Sequence, residues 1–291
     1  MRAPRKWSRP TLDAKATAGE AFVAHARAAL EQVAANATGA AAGRDPEYLH
    51  QLRVGVRRLR SALRAFRELL RRGRADATER PWRIMMRTLG AARDWDVFQA
   101  SLGPSELQLG ARKRRRAAQR RLRALVRSPR FRTVRLRTFG WAQSRPWRRN
   151  AQPEEPLPHF ARRALQRLYD RLLGTARAID WRDAARRHRV RIRVKRMRYG
   201  CDCFATAFRG RRVDAFVQQL RTLQDILGEM NDIEVQRSLL RELVPRGSSL
   251  RIVQIESAVR ARLAAREREL IAALAPAWAA FEARRPFWRR D

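Results

Sequence analysis

Apolar positions along the chain recur at the three- and four-residue spacing of an amphipathic helix. Between residues 50 and 71, for example, one helical face collects Leu52, Leu59, Leu63 and Phe66. No stretch alternates polar and apolar residues as a half-buried strand does. Glycine and proline interrupt the pattern often enough for about four helices in each half of the chain, with lengths typical of bundles. The pattern predicts an all-α protein.

Two segments of the first half return in the second half at one separation. HQLRVGVRRLR at 50–60 matches HRVRIRVKRMR at 188–198, and LGAARDWDV at 89–97 matches LGEMNDIEV at 227–235, in both cases 138 residues further along. Chance matches would not keep one register over such a span. The chain is therefore predicted to contain two copies of one unit.

A proline-rich segment at 151–158 separates the two copies. Its three prolines disfavour a continuous helix across the join. We accordingly predict a basic N-terminal tail at 1–15, a first helical bundle at 16–150, a linker at 151–158 and a second helical bundle at 159–291.

The 291 residues include 66 Lys or Arg against 28 Asp or Glu, which gives a formal net charge of +38 with histidine neutral. Hydrophobic residues make up 45% of the chain, too large a share for a disordered polycation. This excess of cations attracts polyanions and nearly excludes a cationic substrate. Nucleic acid, polyphosphate and an anionic membrane are the partner classes that remain.

Three features that the sequence lacks narrow the class of protein further. Cys201 and Cys203 are too close in sequence for a disulfide that would stabilise the fold, and no strong acid or histidine lies near them at the spacing of a metal site. This predicts two reduced thiols on a helix. The basic N-terminus has no apolar core of a secretory signal, and no run of 18 apolar residues could span a bilayer. The sequence predicts a cytoplasmic protein with no transmembrane segment, cofactor or metal.

The helix predicted after residue 50 has a cationic face opposite its apolar face. At about 100° per residue, His50, Arg53, Arg57, Arg60 and Arg64 share one side. Like charges at these spacings destabilise an isolated helix by roughly a few tenths of a kcal/mol per pair, so an external counter-charge is expected. The second copy repeats this face, and Asp202 shortens it at the position of Arg64. The repeated cationic residues are His188, Arg191, Lys195 and Arg198.

Such a face suits a linear anion with closely spaced charges. A guanidinium group matches phosphate oxygens in pairs, and successive turns set these groups about 5.4 Å apart. Histidine adds a donor whose charge depends on pH. A solvated charged surface is the plain alternative, but duplication of the stripe with its histidine favours a binding site. His25 and His159 have no histidine counterpart in the other copy and are interpreted as incidental.

The repeated motifs resemble those of the CHAD domain, the conserved histidine α-helical domain. H-x-x-R-[V/I]-x-V-[R/K]-R-[L/M]-R and L-G-x-x-[R/N]-D-x-[D/E]-V, each present twice, carry the resemblance over about residues 22–288. The family implies two pseudo-symmetric four-helix bundles with basic residues along a shared central surface. It also implies non-catalytic binding of inorganic polyphosphate, and location at polyphosphate granules. The binding positions that the resemblance carries over are His50, Arg53, Arg57, Arg60, His188, Arg191, Lys195 and Arg198.

This sequence departs from its own repeat at two positions. Asn231 stands where the first copy has Arg93, and Asp202 interrupts the second stripe. We therefore expect the second copy to bind more weakly.

The second motif places glycines and acids in an otherwise basic chain. Gly90 and Gly228 are expected where two helices approach closely. The acids are interpreted as groups that orient arginine side chains by bidentate pairing. A Mg²⁺ site for phosphoryl transfer is the sharper alternative, although no phosphate-loop motif accompanies it. The four acids are Asp94, Asp96, Asp232 and Glu234.

Two further groups of cations lie outside the repeated stripe. Arg83 and Arg87, with Arg221 in the second copy, precede the glycine on one predicted helix face and are second-rank candidates for the anion surface. The dense run at 112–123 encircles its helix, which favours a general electrostatic surface.

Non-catalytic binding of polyphosphate is thus the leading hypothesis. One alternative is nucleic-acid binding through the same basic surface, without sequence specificity because no known nucleic-acid motif is present. The other is metal-dependent hydrolysis of phosphoanhydrides by the four acids.

Overall fold

Nine α-helices and one short 3₁₀-helix make up most of the described chain, which contains no β-strand. The computed structural model describes residues 3–13, 15–208, 210–244 and 247–289. The prediction of an all-α protein is confirmed. The first five helices are α1 (Ala18–Ala42), α2 (Pro46–Ala65), α3 (Arg72–Ser101), α4 (Leu107–Arg127) and α5 (Pro129–Gln143). The last four are α6 (Leu157–Ala176), α7 (Ala184–Phe204), α8 (Arg211–Leu243) and α9 (Leu250–Glu282).

The chain folds as two compact units. Unit 1 comprises Met1–Gly103 and Gln108–Phe160, and unit 2 comprises Pro104–Leu107 and Ala161–Asp291. Within unit 1, the predicted linker is tied to the start of α1, because the backbone N–H of Leu157 donates to the carbonyl of Ala16 at 3.0 Å.

Equivalent caps start the two helices that carry the cationic stripes. The Asp45 carboxylate accepts from the backbone N–H of Glu47 at 2.8 Å before α2, and the Asp183 carboxylate accepts from that of Arg186 at 2.9 Å before α7. An aspartate in this position satisfies an N–H that the first helical turn leaves unpaired. The two helices begin 138 residues apart, at Pro46 and Ala184.

The first half contains five helices where about four were expected. Ser128 and Pro129 separate α4 from α5, since the Ser128 hydroxyl accepts from the backbone N–H of Phe131 at 3.1 Å and proline occupies the first turn. The equivalent stretch of the second half is the continuous helix α9, which contains Pro276. The serine–proline pair thus divides one expected helix into two.

Aromatic side chains form the centre of unit 1. The Phe22 ring lies 5.9 Å from Phe66, 6.1 Å from Trp141 and 5.8 Å from Trp147, in edge-to-face arrangements. Each buried ring contributes roughly 2–3 kcal/mol relative to exposure. The tryptophans serve as packing residues, and the last helices of unit 1 are held against α1.

Unit 2 has its own aromatic centre. Phe216 lies 5.3 Å from Phe281 and 5.1 Å from Trp288, so the end of the chain packs against α8. Cys201 and Cys203 are free thiols buried in α7. Burial in apolar surroundings raises the pKa of Cys201, which keeps this thiol protonated.

Part of the predicted N-terminal tail packs against α1. Residues 1, 2 and 14 of that tail lie outside the described residues. The backbone N–H of Arg5 donates to the Asn36 side chain at 3.1 Å, and the Trp7 ring stacks on His25 at 6.5 Å. His25 is buried in this contact, which agrees with its interpretation as a residue outside the stripes.

Candidate functional site

Helix α2 turns its apolar face into the core of unit 1 and leaves its cationic face half-buried. Leu52, Val56, Leu59 and Leu63 are almost fully buried. The charged side chains on the opposite face are half-buried. The partial exclusion of water lowers the local dielectric constant around them and strengthens their electrostatic interactions. We call this set the first stripe: His50, Arg53, Arg57, Arg60 and Arg64.

His50 lies among arginines from two helices. Partial burial lowers its pKa below the usual 6.5, and the nearby Arg57, Arg93 and Arg53 lower it further, against an opposing effect of Glu47. The imidazole of the free protein is therefore neutral at pH 7. Arg93 belongs to α3 and was not predicted as a site residue, although its position in the repeated motif could have pointed to it.

Arg53 crosses from α2 to α3 at the glycine of the second motif. Its Nη1 donates to the backbone oxygen of Leu89 at 2.9 Å. A β-carbon on Gly90 would lie 3.3 Å from that Nη1 and 3.9 Å from Oδ2 of Asp94. Gly90 thus leaves room for the Arg53 guanidinium.

Arg57 occupies the middle of the first stripe. Its Nε is buried and has no hydrogen-bond partner among the described residues. A buried donor without an acceptor costs about 1–3 kcal/mol, so an anion that reaches this atom gains that energy.

Arg60 and Arg64 share the carboxylate of Glu79 on α3. The Arg60 Nε lies 3.0 Å from Oε1 of Glu79, and Arg64 contacts the same oxygen. Burial and the like charges of Arg64 and Arg83 lower the pKa of Arg60, an effect that Glu79 opposes. The structure therefore brings the second-rank candidate Arg83 to the first stripe. Glu79 was missed, because no motif in the sequence contains it.

The predicted acid Asp96 forms an ion pair with an arginine of another helix. The side chain of Asp96 is only 8% exposed and pairs with Nε of Arg115 on α4. An acid that orients an arginine was expected, but its partner was not. Arg115 was assigned to a general electrostatic surface, and instead it is half-buried on Asp96, because helix packing brings α4 against α3 at this point.

The second stripe consists of His188, Arg191, Lys195 and Arg198 on α7. His188 is exposed, whereas the other three members are half-buried. Desolvation of its ring, with Arg191 and Lys195 nearby, lowers the pKa of His188, and a hydrogen bond with Asn231 opposes the shift. Asn231 and Arg93 thus occupy corresponding positions, each beside the histidine of its own unit, but Arg93 lowers the pKa of His50 whereas Asn231 raises that of His188.

A small cavity of about 80 Å³ lies between α7 and α8 beside the second stripe. Its apolar wall comes from Leu227 and Met230. Its polar lining includes His188, Arg191, Asn231 and Glu234. Three of its lining groups, the side chains of His188, Arg191 and Asn231, can donate hydrogen bonds to an anion.

Arg198 is held inside unit 2. Its Nη1 lies 3.3 Å from Oδ2 of Asp202, its Nε donates to the side-chain oxygen of Gln224, and its guanidinium carbon lies 4.5 Å from the Tyr199 ring centre. Asp202, which shortens the second stripe in sequence, thus neutralises its last cation in space. Arg198, like Arg60, thus already has a carboxylate partner within its own unit.

The predicted acids of unit 2 are less buried than Asp96. Glu234 pairs with Nη1 of Arg237 at 2.7 Å, and the same atom lies 2.7 Å from Glu267 on α9. Glu267 also pairs at 2.7 Å with the buried Arg187. Asp232 is exposed and lies beside Asn231. The described residues bring together no group of three His, Cys, Asp or Glu side chains that could hold a metal ion.

Three expectations from the second motif need correction or stay open. Gly228 was expected at a close approach of two helices, but a β-carbon there would meet nothing within 4 Å. α8 stands away from its neighbours on this face. Arg87 and Arg221 are exposed on α3 and α8, and their role as second-rank binding residues stays a prediction.

The chain matches the family model of the CHAD domain over residues 24–241. The crystal structure of the CHAD domain from the plant Ricinus communis is similar, with 32% identity over 98% of both chains and a TM-score of 0.83. PptA from Streptomyces chartreusis has the same fold at 14% identity, with a TM-score of 0.71 over 91% of this chain and 100% of that one. Among curated proteins none matches. In the part of the chain that the structure describes, no helix has the length and apolar character needed to cross a bilayer.

Proposed function

Because this chain belongs to the CHAD domain family, we propose that it binds inorganic polyphosphate through the first and second stripes without cleaving it. The observation that carries the proposal is Arg57, whose buried Nε has no acceptor in the described chain although it lies in a row of cations. Phosphate oxygens would supply both the acceptor and the counter-charge. A chain of phosphates would do so along successive helical turns.

The environment of each stripe supports a ligand that is a polyanion. Partial burial excludes water from the guanidinium groups and strengthens charge-assisted hydrogen bonds. The neutral histidines can take up a proton when a phosphate arrives, since its charge raises their pKa. Both stripes therefore gain binding energy only when a dense negative charge is present.

A binding role without catalysis fits the arrangement of the acids. Asp96 pairs with Arg115 and Glu234 pairs with Arg237, so guanidinium groups already occupy these carboxylates. We propose that these acids position arginines and that the protein has no hydrolytic activity.

We also propose that the predicted domains at 16–150 and 159–291 are two copies of one four-helix bundle. The starts of α2 and α7 are 138 residues apart, the same separation as the repeated motifs, which supports this proposal. The long helix α9 also covers the part of the second copy that corresponds to α4 and α5 together. In the cell, we propose that the protein lies in the cytoplasm at polyphosphate granules, as expected for a protein that binds this polymer.

The test compares two variants with the same loss of charge. The stripe variant carries Arg57→Gln and Lys195→Gln, and the surface variant carries Arg116→Gln and Arg120→Gln on the exposed side of α4. Loss of two charge-assisted hydrogen bonds at about 1.5–3 kcal/mol each should weaken binding of long-chain polyphosphate by at least about 100-fold in the stripe variant. The surface variant should lose less than about tenfold. Titration at fixed salt, with circular dichroism to verify folding, measures both.

Equal losses in the two variants would overturn the proposal, because only total charge would then matter. Binding of duplex DNA through the stripes with the same affinity as polyphosphate, at equal phosphate and salt, would also contradict it.

A further inference from the structure

Helix α4 is attached to unit 1 through a narrow seam. Within unit 1, the buried residues of this helix are Ala111, Ala118 and Leu122. Two side-chain contacts reinforce the seam, since Gln119 donates to the carbonyl of Ala40 at 2.9 Å and Asp96 pairs with Arg115. Because two of these three seam residues are small alanines, the helix leaves the greater part of its circumference to solvent.

Six of the nine cations of α4 lie on the side opposite this seam. At about 100° per residue, they fall within an arc of about 100° whose centre lies opposite Ala111 and Ala118. The other three, Arg114, Arg115 and Arg121, lie on the flanks of the helix, so cations encircle it as the sequence predicts, and this outer face is where they are densest. At 1.5 Å per residue the face is about 22 Å long. Its members, all exposed, are Arg112, Lys113, Arg116, Arg120, Arg123 and Arg127.

No acid compensates this outer face. Residues 107–153 contain 16 Lys or Arg and no Asp or Glu. Within the described residues, none of the six cations makes an ion pair, although Arg123 donates to the carbonyl of Ala41 at 3.0 Å. The first stripe differs in both respects, since it is half-buried and contains the Glu79 carboxylate. The two surfaces are therefore suited to different anions.

We propose that the outer face of α4 binds double-stranded nucleic acid through its backbone phosphates, without reading sequence. An α-helix with its side chains is about 10–12 Å in diameter, and the major groove of B-form DNA is about 12 Å wide, so rows of phosphates can flank the helix. Lys and Arg are the residues that neutralise such phosphates. The two glutamines of this helix, Gln108 and Gln119, donate to the backbone carbonyls of Gly103 and Ala40, so their amides are already engaged and do not read a base edge.

The rigidity of a duplex favours it over polyphosphate at this face. An exposed, convex row of long side chains offers no walls to confine a flexible chain, which would lose conformational entropy on lying along it. A duplex holds its phosphates in fixed positions before binding and avoids that cost. The half-buried stripes, by contrast, supply burial and hydrogen bonds that can offset the ordering of a flexible polyanion.

The experiment measures binding of a 30-base-pair DNA of random sequence by fluorescence anisotropy between about 50 and 200 mM salt. Full-length wild type is compared with the surface variant (Arg116→Gln, Arg120→Gln) and the stripe variant (Arg57→Gln, Lys195→Gln), which have the same net charge. We expect the surface variant to bind DNA at least about fivefold more weakly. Its plot of log affinity against log salt should also be less steep by about 1.8, the value for two lost phosphate contacts. The stripe variant should bind DNA within about twofold of wild type.

Equal weakening of DNA binding in both variants would overturn the inference, because long-range charge alone would then explain it. So would unchanged DNA binding in the surface variant, or α4-dependent binding to phosphatidylserine vesicles without binding to DNA. The two proposals fail independently. The proposed function is tested by polyphosphate binding of the stripe variant, whereas this inference is tested by DNA binding of the surface variant. Folding of the variants is verified by circular dichroism, and Arg116→Ala with Arg120→Ala provides a second surface variant at exposed helix positions.

Discussion

A single carboxylate oxygen of Glu79 holds two cations of the first stripe, Arg60 and Arg64. The Glu79 side chain is 14% exposed, so this pairing is poorly screened by water. A phosphate that binds Arg60 must displace or repel Glu79. The carboxylate therefore acts as an internal competitor, and only an anion with several charges close together can replace it at moderate concentration.

Replacing Glu79→Gln should strengthen binding of tripolyphosphate by about threefold to tenfold, because the competing charge is removed while the side chain keeps its volume. Isothermal titration at constant salt measures the change. Asp76→Asn is the matched control, since Asp76 lies one turn earlier on α3 and pairs with the exposed Arg67 at 2.9 Å. The same gain in both variants would indicate net charge alone, and a loss with Glu79→Gln would show that Glu79 positions the arginines.

The proposed binding of polyphosphate should depend on pH through the two histidines. Both have pKa values below 6.5 in the free protein, chiefly through desolvation and then through nearby cations. A bound phosphate raises these pKa values, so protons are taken up on binding and affinity for polyphosphate should increase as pH falls through about 6. The double variant His50→Ala, His188→Ala should flatten this dependence in titrations from pH 5 to 8. An unchanged slope would show that the histidines do not contact the ligand.

The same shifts predict how stability changes with pH. A histidine whose folded pKa lies below 6.5 binds protons less readily in the folded than in the unfolded state. The free protein should therefore lose stability as pH falls from 6.5 through the lowered folded pKa values. Added polyphosphate should oppose that loss.

At the scale of the helices, unit 1 depends on the close approach of α1 and α2. A β-carbon on Gly55 of α2 would lie 2.9 Å from Cγ2 of Val33 and 3.1 Å from the backbone oxygen of Ala29. The neighbour is partly backbone and cannot move aside without shifting a helix. This contact sets the position of α2, and hence the position of the first stripe.

Gly55→Ala should destabilise the protein by about 1–3 kcal/mol, the usual cost of overpacking. Gly140→Ala is the control, since Gly140 lies in α5 and a β-carbon there would meet nothing within 4 Å. An exposed helical Gly→Ala change should stabilise by about 0.5–1 kcal/mol. Urea unfolding followed by circular dichroism measures both, and equal effects of the two changes would contradict a close packing role for Gly55.

At the scale of the whole molecule, each unit carries one stripe, and the two are not equal. The first stripe has five members and adds Arg93 beside its histidine, whereas the second has four members and adds the uncharged Asn231. Asp202 also neutralises Arg198. With a net charge of +38, long-range attraction serves both stripes alike, so a difference between them must come from these local contacts.

Arg57→Gln alone should therefore weaken polyphosphate binding more than Lys195→Gln alone, by about fivefold or more. Titration of both single variants at two salt concentrations tests this, because a local effect persists at high salt while a general charge effect fades. A larger loss for Lys195→Gln would place the stronger binding in unit 2.

The sequence by itself determined the helical class and the composition of the stripes. Both depend on local spacing, since the 3.6-residue period assigns Leu52 and Arg53 to different faces whatever the helix later packs against. The return of His50 and Arg57 as His188 and Lys195 at one separation was equally visible, because a repeat needs no knowledge of contacts.

Only the tertiary structure decided which groups meet the stripes. Glu79 reaches Arg60 and Asp96 reaches Arg115 because two helices pack at a particular rotation and height, which side-chain volumes at their contact determine and no short motif encodes. The outer face of α4 is a partial exception. Leu107, Ala111, Ala118 and Leu122 recur at helical spacing, so the sequence already indicates which side is turned inward, and these residues are buried in the structure.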